Sequence, residues 1–200
     1  MGDISLRRAI DEYESIYLAS RNFVQRTREV YLSDLENLIR FFLQLGLQKV
    51  DDIELPQLER YLAHLDHRGL AGSTRKRKVV AIRSFLWYLY QARYLRTNLA
   101  KRLIPPFAAP QSPRFLTRAE YTKVLEAASH NRRDFALIQL LLQTGIKLSE
   151  VTRLRVTDLE LDSGKDNFGR LFVRAGERRS ERIVELNQKA CIALEWYVRQ

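Results

Sequence analysis

The sequence predicts a mainly α-helical chain in two parts, an all-helical N-terminal region followed by a C-terminal region of helices with a small antiparallel sheet. Three observations predict it. Apolar residues recur at i, i+3 and i+4 from Leu6 to Leu89, the period of helices that each bury one face. Four of the five prolines then fall between Pro105 and Pro113, where neither a helix nor a central strand persists. Around Leu171 to Leu186 the apolar period shortens to that of short strands, and it returns to the helical value afterwards.

Taken in order, Ser5 to Ser20 place Leu6, Ile10, Tyr13, Ile16 and Tyr17 at helical spacing. From Thr27 to Leu45, Val30, Tyr31, Leu35, Leu38, Phe41, Phe42 and Leu45 repeat the pattern, and Gly46 ends it. Asp51, Asp52 and then Pro56 in a favourable first-turn position open a third helix carrying Leu58, Tyr61, Leu62 and Leu65, which stops at His67-Arg68-Gly69. Ser73 reads as the N-cap of a fourth helix, Thr74 to Gln91, with Val79, Ile82, Leu86 and Leu89 on its core stripe. Tyr94 to Arg102 form a short fifth element.

The proline-rich stretch is a stiff, extended connection, so the expected boundaries are a helical domain at 1–104, a linker at 105–113 and a second domain at 114–200. Past the linker, Thr117 and Glu120 make a capping box that opens a helix to about Ser129. Arg132 to Gln143 form the next helix, with Phe135, Leu137, Ile138, Leu141 and Leu142 as core material. Thr144-Gly145 supplies its stop, and a second amphipathic helix starts near Leu148. Leu171, Val173, Ile183 and Leu186, flanked by Arg174 and Arg182, suggest two antiparallel strands joined around Gly176, and Gln188 to Arg199 is helical again.

The formal net charge is +10, from 34 basic and 24 acidic residues, and its distribution says more than its size. From His67 through Ala119 the chain has twelve Lys or Arg residues and no Asp or Glu. A single-sign stretch of that length within ordered-looking helices is the footprint of a polyanion-binding surface, and nucleic acid fits better than a membrane because these helices have partners to pack against. Within the stretch, Arg75, Lys76, Arg77 and Lys78 crowd the first turn of the fourth helix, where the helix dipole also favours an anion. Lys76 and Arg83 fall close together on one side at 100° per residue. The set reads as phosphate contacts, while any one of these residues taken alone fits a solvated basic face equally well.

Other classes are disfavoured. No run approaches the eighteen or so apolar residues of a membrane span, and Met1 to Tyr13 alternates acidic and basic residues unlike a signal peptide, so the expectation is a cytoplasmic protein with no membrane partner. Cys191 is the only cysteine, and His64, His67 and His130 show no metal-ligand spacing with it, so neither a metal nor another cofactor is expected.

The most informative stretch runs from Gln139 to Leu161. Lys147 stands alone as a cation in a tight turn between two apolar helices, a placement that suits gripping an anion and also suits an ordinary solvated turn lysine. Thr144, Gly145, Ser149, Glu150, Val151, Leu154, Asp158 and Leu159 follow, without a gap, a pattern that resembles the first catalytic block of the tyrosine recombinases, the phage-integrase type of site-specific DNA recombinase. The resemblance extends to Leu116-Thr117 with Glu120 at the entry to the second domain. In the first domain it covers Thr27, Tyr31, Asp34 and Leu35, the Ser73-Thr74-basic run, Arg83 to Leu89, and Asn98-Leu99-Ala100. It implies an N-terminal SAM-like core-binding domain of four to five helices, then part of an α+β catalytic domain. The implied partners are double-stranded DNA and other recombinase subunits.

Family members bring to the scissile phosphate two arginines, a hairpin lysine, a histidine with a second His or Trp, and a nucleophilic tyrosine. Cations stabilise the added phosphate charge and the lysine protonates the leaving sugar oxygen. This chain departs twice. Lys147 stands at the first arginine position, which keeps the charge and loses the planar fork. Glu177 stands at the hairpin lysine position, where a carboxylate repels a phosphate, although Arg178, Arg179 and Arg182 lie close by in sequence. His130 with Arg133 spells the family's H-x-x-R but precedes the first block, so it reads as a polar connection, and Tyr197 reads as packing beside Trp196. The chain reaches Gln200 before the family's later H-x-x-R block and tyrosine.

Three readings follow: a DNA-binding recombinase relative that does not cleave by itself, part of an active recombinase, and a helical protein-interaction module. The first carries a mechanism in which the two domains close on duplex DNA, Arg75 to Lys78 gripping one face while Lys147, Arg178, Arg179 and Arg182 approach a phosphate opposite.

Overall fold

The computed structural model describes residues 4–109, 112–161, 168–176 and 180–199, which fall into two compact units divided between Ser112 and Pro113. The fold is mainly helical with one small antiparallel sheet, as the periodicity predicts.

The first unit is built from α1 (Leu6–Glu12), which runs on as a π-helical segment (Tyr13–Leu18), α2 (Gln25–Gln44), α3 (Leu55–His67), α4 (Gly72–Gln91) and the single turn α5 (Leu99–Arg102). Their apolar stripes meet in one core in which Tyr13, Phe42, Tyr61 and Phe85 are the largest fully buried side chains. Tyr13 and Phe85 pack edge to face at 5.4 Å, and the buried Tyr13 hydroxyl donates to Ser84 Oγ at 2.8 Å. Gly46 ends α2 and Gly69 follows α3, both with positive φ, so these stops rest on the left-handed backbone that glycine adopts without strain.

Ser73 is not the N-cap of α4. The helix starts earlier, with Ala71 at the cap and Ala71 C=O accepting from Arg75 N–H at 3.0 Å. Gly72 allows this start, because a Cβ there would sit 3.1 Å from the Phe107 carbonyl oxygen of the chain that packs against it.

The second unit contains α6 (Arg118–Ala128), α7 (Arg132–Thr144), the one-turn α8 (Leu148–Val151), a three-stranded antiparallel sheet in the order β1 (Leu159–Leu161), β2 (Gly169–Val173), β3 (Arg182–Leu186), and α9 (Gln188–Val198). The Thr117–Glu120 capping box forms as expected, and Gly145 closes α7 at φ 64°. Leu171 pairs with Leu159 on one side and Val184 on the other, so β2 is the central strand, and its inward Leu171 and Val173 meet Ala136 and Leu140 of α7 and Ala190 and Leu194 of α9.

Two expectations change here. The amphipathic helix predicted from Leu148 is a single turn with no buried residue, and its first side chain is 69% exposed. The sheet has a third strand, β1, too short at three residues to show a period.

Candidate nucleic-acid interface

Four consecutive cations in one helix turn point in different directions, and the structure sorts them. Lys78 is buried, with Nζ donating to Asp34 Oδ1 at 2.8 Å, and Arg77 pairs with the other oxygen of the same carboxylate. Asp34 projects from α2 and is 2% exposed, so it is a buried anion neutralised by two cations from the facing helix. Arg75 leans back to Asp66 at the end of α3, with Nη1 2.6 Å from Oδ1. Lys76 is exposed and makes no ion pair among the described residues.

The cluster therefore does not act as one phosphate-facing set. Lys78 is a core residue, because its ammonium is spent on Asp34 and cannot meet an external anion without leaving that carboxylate bare. Arg77 remains 44% exposed at its side chain despite the pairing, and half-buried Arg83 carries no partner among the described residues. Lys76, Val80 and Arg83 stand at i, i+4 and i+7, which puts an exposed valine between two free cations on one face of α4. Arg96, Lys101 and Arg102, beyond the helix, are exposed as well.

In the second unit the chain emerges from the left-handed Gly145, buries Ile146 and exposes Lys147 at the start of α8. Glu150 organises this corner. It accepts from Lys147 N–H at 2.9 Å through Oε2, and it takes a two-pronged fork from Arg182 of β3, with Nη1 2.8 Å from Oε1 and Nη2 2.9 Å from Oε2. The fork pushes the Arg182 guanidinium further up from an already high value, so Arg182 is a permanent cation committed to Glu150. The Lys147 backbone N–H and the Arg182 guanidinium, 35 positions apart in sequence, thus meet at one carboxylate. Asp158 repeats the device. Arg174, just past β2, donates to its Oδ1 from Nε at 2.9 Å and from Nη2 at 2.6 Å, while Arg155 N–H caps its Oδ2 at 3.0 Å. Arg174 is the main cause holding the Asp158 carboxyl below its usual range.

Glu177, Arg178 and Arg179 lie outside the described residues. His130 is exposed in the turn before α7, Asn131 caps that helix by accepting from Arg133 and Asp134 N–H, and the Arg132 guanidinium lies over the Trp196 ring at 4.9 Å. That segment is a helix connection. Trp196 also meets Phe135 edge to face at 6.0 Å, while Tyr197 is partly exposed at 37%. Cys191 is buried, and burial pushes its thiol up. Among the described residues no group of His, Cys, Asp and Glu could hold a metal ion, and no helix is long and apolar enough to cross a membrane.

Sequence reasoning missed Asp34 as the anchor of two cations, Asp66 as the partner of Arg75, and Arg153. The first two were signalled only by being carboxylates on helices that face α4. Arg153 follows α8 and is exposed.

Comparison with known proteins agrees with this arrangement. Residues 10–93 match the phage integrase N-terminal SAM-like domain, and residues 114–200 match the phage integrase family. A tyrosine recombinase XerC of Pelotomaculum thermopropionicum is 32% identical over 199 residues, covering 94% of this chain and 63% of the relative. A tyrosine recombinase XerD of Chlorobaculum tepidum is 28% identical over 199 residues, covering 96% and 63%. The chain spans less than two thirds of the length of these curated relatives. Among solved structures, a lambda integrase dimer bound to a COC' core site superposes with TM-score 0.74 at 20% identity, over 98% of this chain and 55% of that one. A lambda integrase tetramer bound to a Holliday junction gives 0.71 at 21% identity, over 91% and 49%. At these identities the likeness is one of fold. With both of its units matched, and with Glu150 and Asp158 of the Thr144 to Leu159 block anchoring the sheet, the chain belongs to the phage integrase, or tyrosine recombinase, family.

Proposed function

We propose that this chain binds double-stranded DNA and that its 200 residues do not by themselves cleave a strand. The observation that carries the binding is the exposed face of α4, where Lys76 and Arg83 stand without carboxylate partners among the described residues, inside a stretch from His67 to Ala119 that has no acidic residue. Phosphates repel carboxylates and attract clustered cations, so such a surface matches duplex DNA. The lambda integrase structures of the same fold hold a core site and a Holliday junction, which supports the reading. The lambda tetramer also supports other recombinase subunits as partners.

Two residues carry the absence of cleavage. A lysine at 147 offers one point charge where a guanidinium would clamp two oxygens of a five-coordinate phosphate, and Glu177 occupies the position of the family's proton-donating lysine. Arginine neighbours do not replace that donor, since a guanidinium holds its proton at neutral pH.

A second reading, favoured by the intact Glu150 fork on Arg182, makes this chain part of an active recombinase. One experiment tests the proposal. The protein is incubated with a mixed-sequence duplex, and half of each sample is denatured to look for covalent protein–DNA adducts. Salt-sensitive binding without adduct supports the proposal, an adduct overturns its claim that these 200 residues do not cleave, and no binding at low salt removes both DNA readings in favour of a protein-interaction module.

A further inference from the structure

The corner around α8 holds more positive charge than the family pattern announces. Glu150 fixes three things at once: Lys147 through the 2.9 Å bond from its N–H, Arg182 through the fork, and Arg153, whose N–H donates to the Glu150 carbonyl oxygen at 3.1 Å. Of the basic side chains that this corner and the adjoining strands supply, Arg174 is committed to Asp158 and Arg182 to Glu150. Lys147 and Arg153 are exposed, one at each end of the α8 turn, and neither has an ion pair among the described residues. The Arg153 guanidinium extends to the start of the hairpin loop: its Nη1 lies 3.7 Å from where a Cβ would stand on Gly176. Gly176 has no side chain to cover that guanidinium.

We propose that Arg153 is a DNA-phosphate ligand, supplying at the hairpin end of this corner the planar guanidinium that position 147 lacks. The proposal rests on the DNA-binding reading above. Its chemistry is that of a phosphodiester: Lys147 contributes a compact charge, Arg153 a two-pronged donor able to take two non-bridging oxygens, and the bound carboxylates of Glu150 and Asp158 are already neutralised by arginines and do not oppose the anion. Lys147 and Arg153 are six positions apart with one helical turn between them, so they stand within about 10 Å along the chain, a spacing compatible with one phosphate or two adjacent ones.

The test is a salt titration of binding to a fluorescein-labelled mixed-sequence duplex, with wild type, Arg153→Ala, Arg153→Gln, Arg153→Lys, Lys147→Ala and the Lys147→Ala/Arg153→Ala pair, each checked for folding by circular dichroism. Loss of one phosphate contact reduces the slope of log affinity against log salt by about 0.9. The expected result is that reduction in both neutral Arg153 variants, with affinity about tenfold lower. Arg153→Lys should keep the slope and lose several-fold in affinity, and the double variant should lose less than the two single effects combined, because the residues share a site. A structural role for an exposed arginine would not move the slope. If wild type binds and the neutral variants keep its slope and affinity, Arg153 is a solvated surface residue and DNA binding stands without it. If wild type does not bind, the DNA reading and this one fall together.

Discussion

Arg75, Lys76, Arg77 and Lys78 are indistinguishable as a run of four cations, yet one is buried, two more lean on carboxylates and one is free. The information that separates them lies in Asp34 on α2, 43 and 44 positions from the two cations it pairs, and in Asp66 at the end of α3, and no local period reports it. Helix spacing identified the core stripe of α4 because burial of apolar groups repeats along the helix. A long, flexible basic side chain follows its carboxylate instead, and that partner belongs to another element. Two predictions belong at this scale. Replacing Asp34 with Asn leaves Lys78 buried without its counter-charge and should lower the unfolding free energy by about 3 kcal/mol in urea denaturation. Replacing Lys76 with Ala should leave stability unchanged and flatten the salt dependence of DNA binding by about one unit of slope. An equal stability loss in both variants would mean that the sorting of the four cations is wrong.

At the scale of elements, the acidic positions of the Thr144 to Leu159 block have a mechanical meaning that the pattern alone does not carry. Glu150 and Asp158 come from short, irregular structure, a one-turn helix and a single 3-10 turn, and each grips an arginine at an end of a strand in the β2–β3 hairpin. The sequence made these residues visible as members of a pattern. It could not show what they hold, because Arg174 and Arg182 reach them only once the hairpin has folded. Replacing Glu150 with Gln should speed amide exchange in β3 while leaving α2 and α4 protected, since those helices belong to the other unit. In the first unit, burial pushes the Tyr61 phenol up to about 12, helped by Asp34, and the Tyr88 phenol up to about 12, helped by Glu12, while Tyr13 is raised by burial as well. A raised phenol in the folded state leaves stability intact below the unfolded value of about 10 and removes it as pH rises from there towards 12. Thermal melts of the first unit should therefore hold steady at neutral pH and fall steeply above about pH 10, together with the appearance of phenolate absorbance. Ionisation of all nine tyrosines before any loss of helix would contradict the burial of these rings.

For the whole molecule, the features legible in the sequence were those that repeat or accumulate: helical periods, the proline-rich stretch, the capping box at Thr117, and the acid-free run of twelve cations. Features that rest on a single long-range contact were not legible, among them the Asp34 pairing, the Arg153 guanidinium beside Gly176 and the short strand β1. The functional account rests on the accumulated feature, charge of one sign held on ordered helices. Its most direct test is the affinity of the wild-type chain for a mixed-sequence duplex across a series of monovalent salt concentrations. At least about four phosphates engaged by the free cations of the two units would give a slope of log affinity against log salt near −4 or steeper. A slope near zero, or no binding at low salt, would contradict the central claim and leave the basic surface without a nucleic-acid partner.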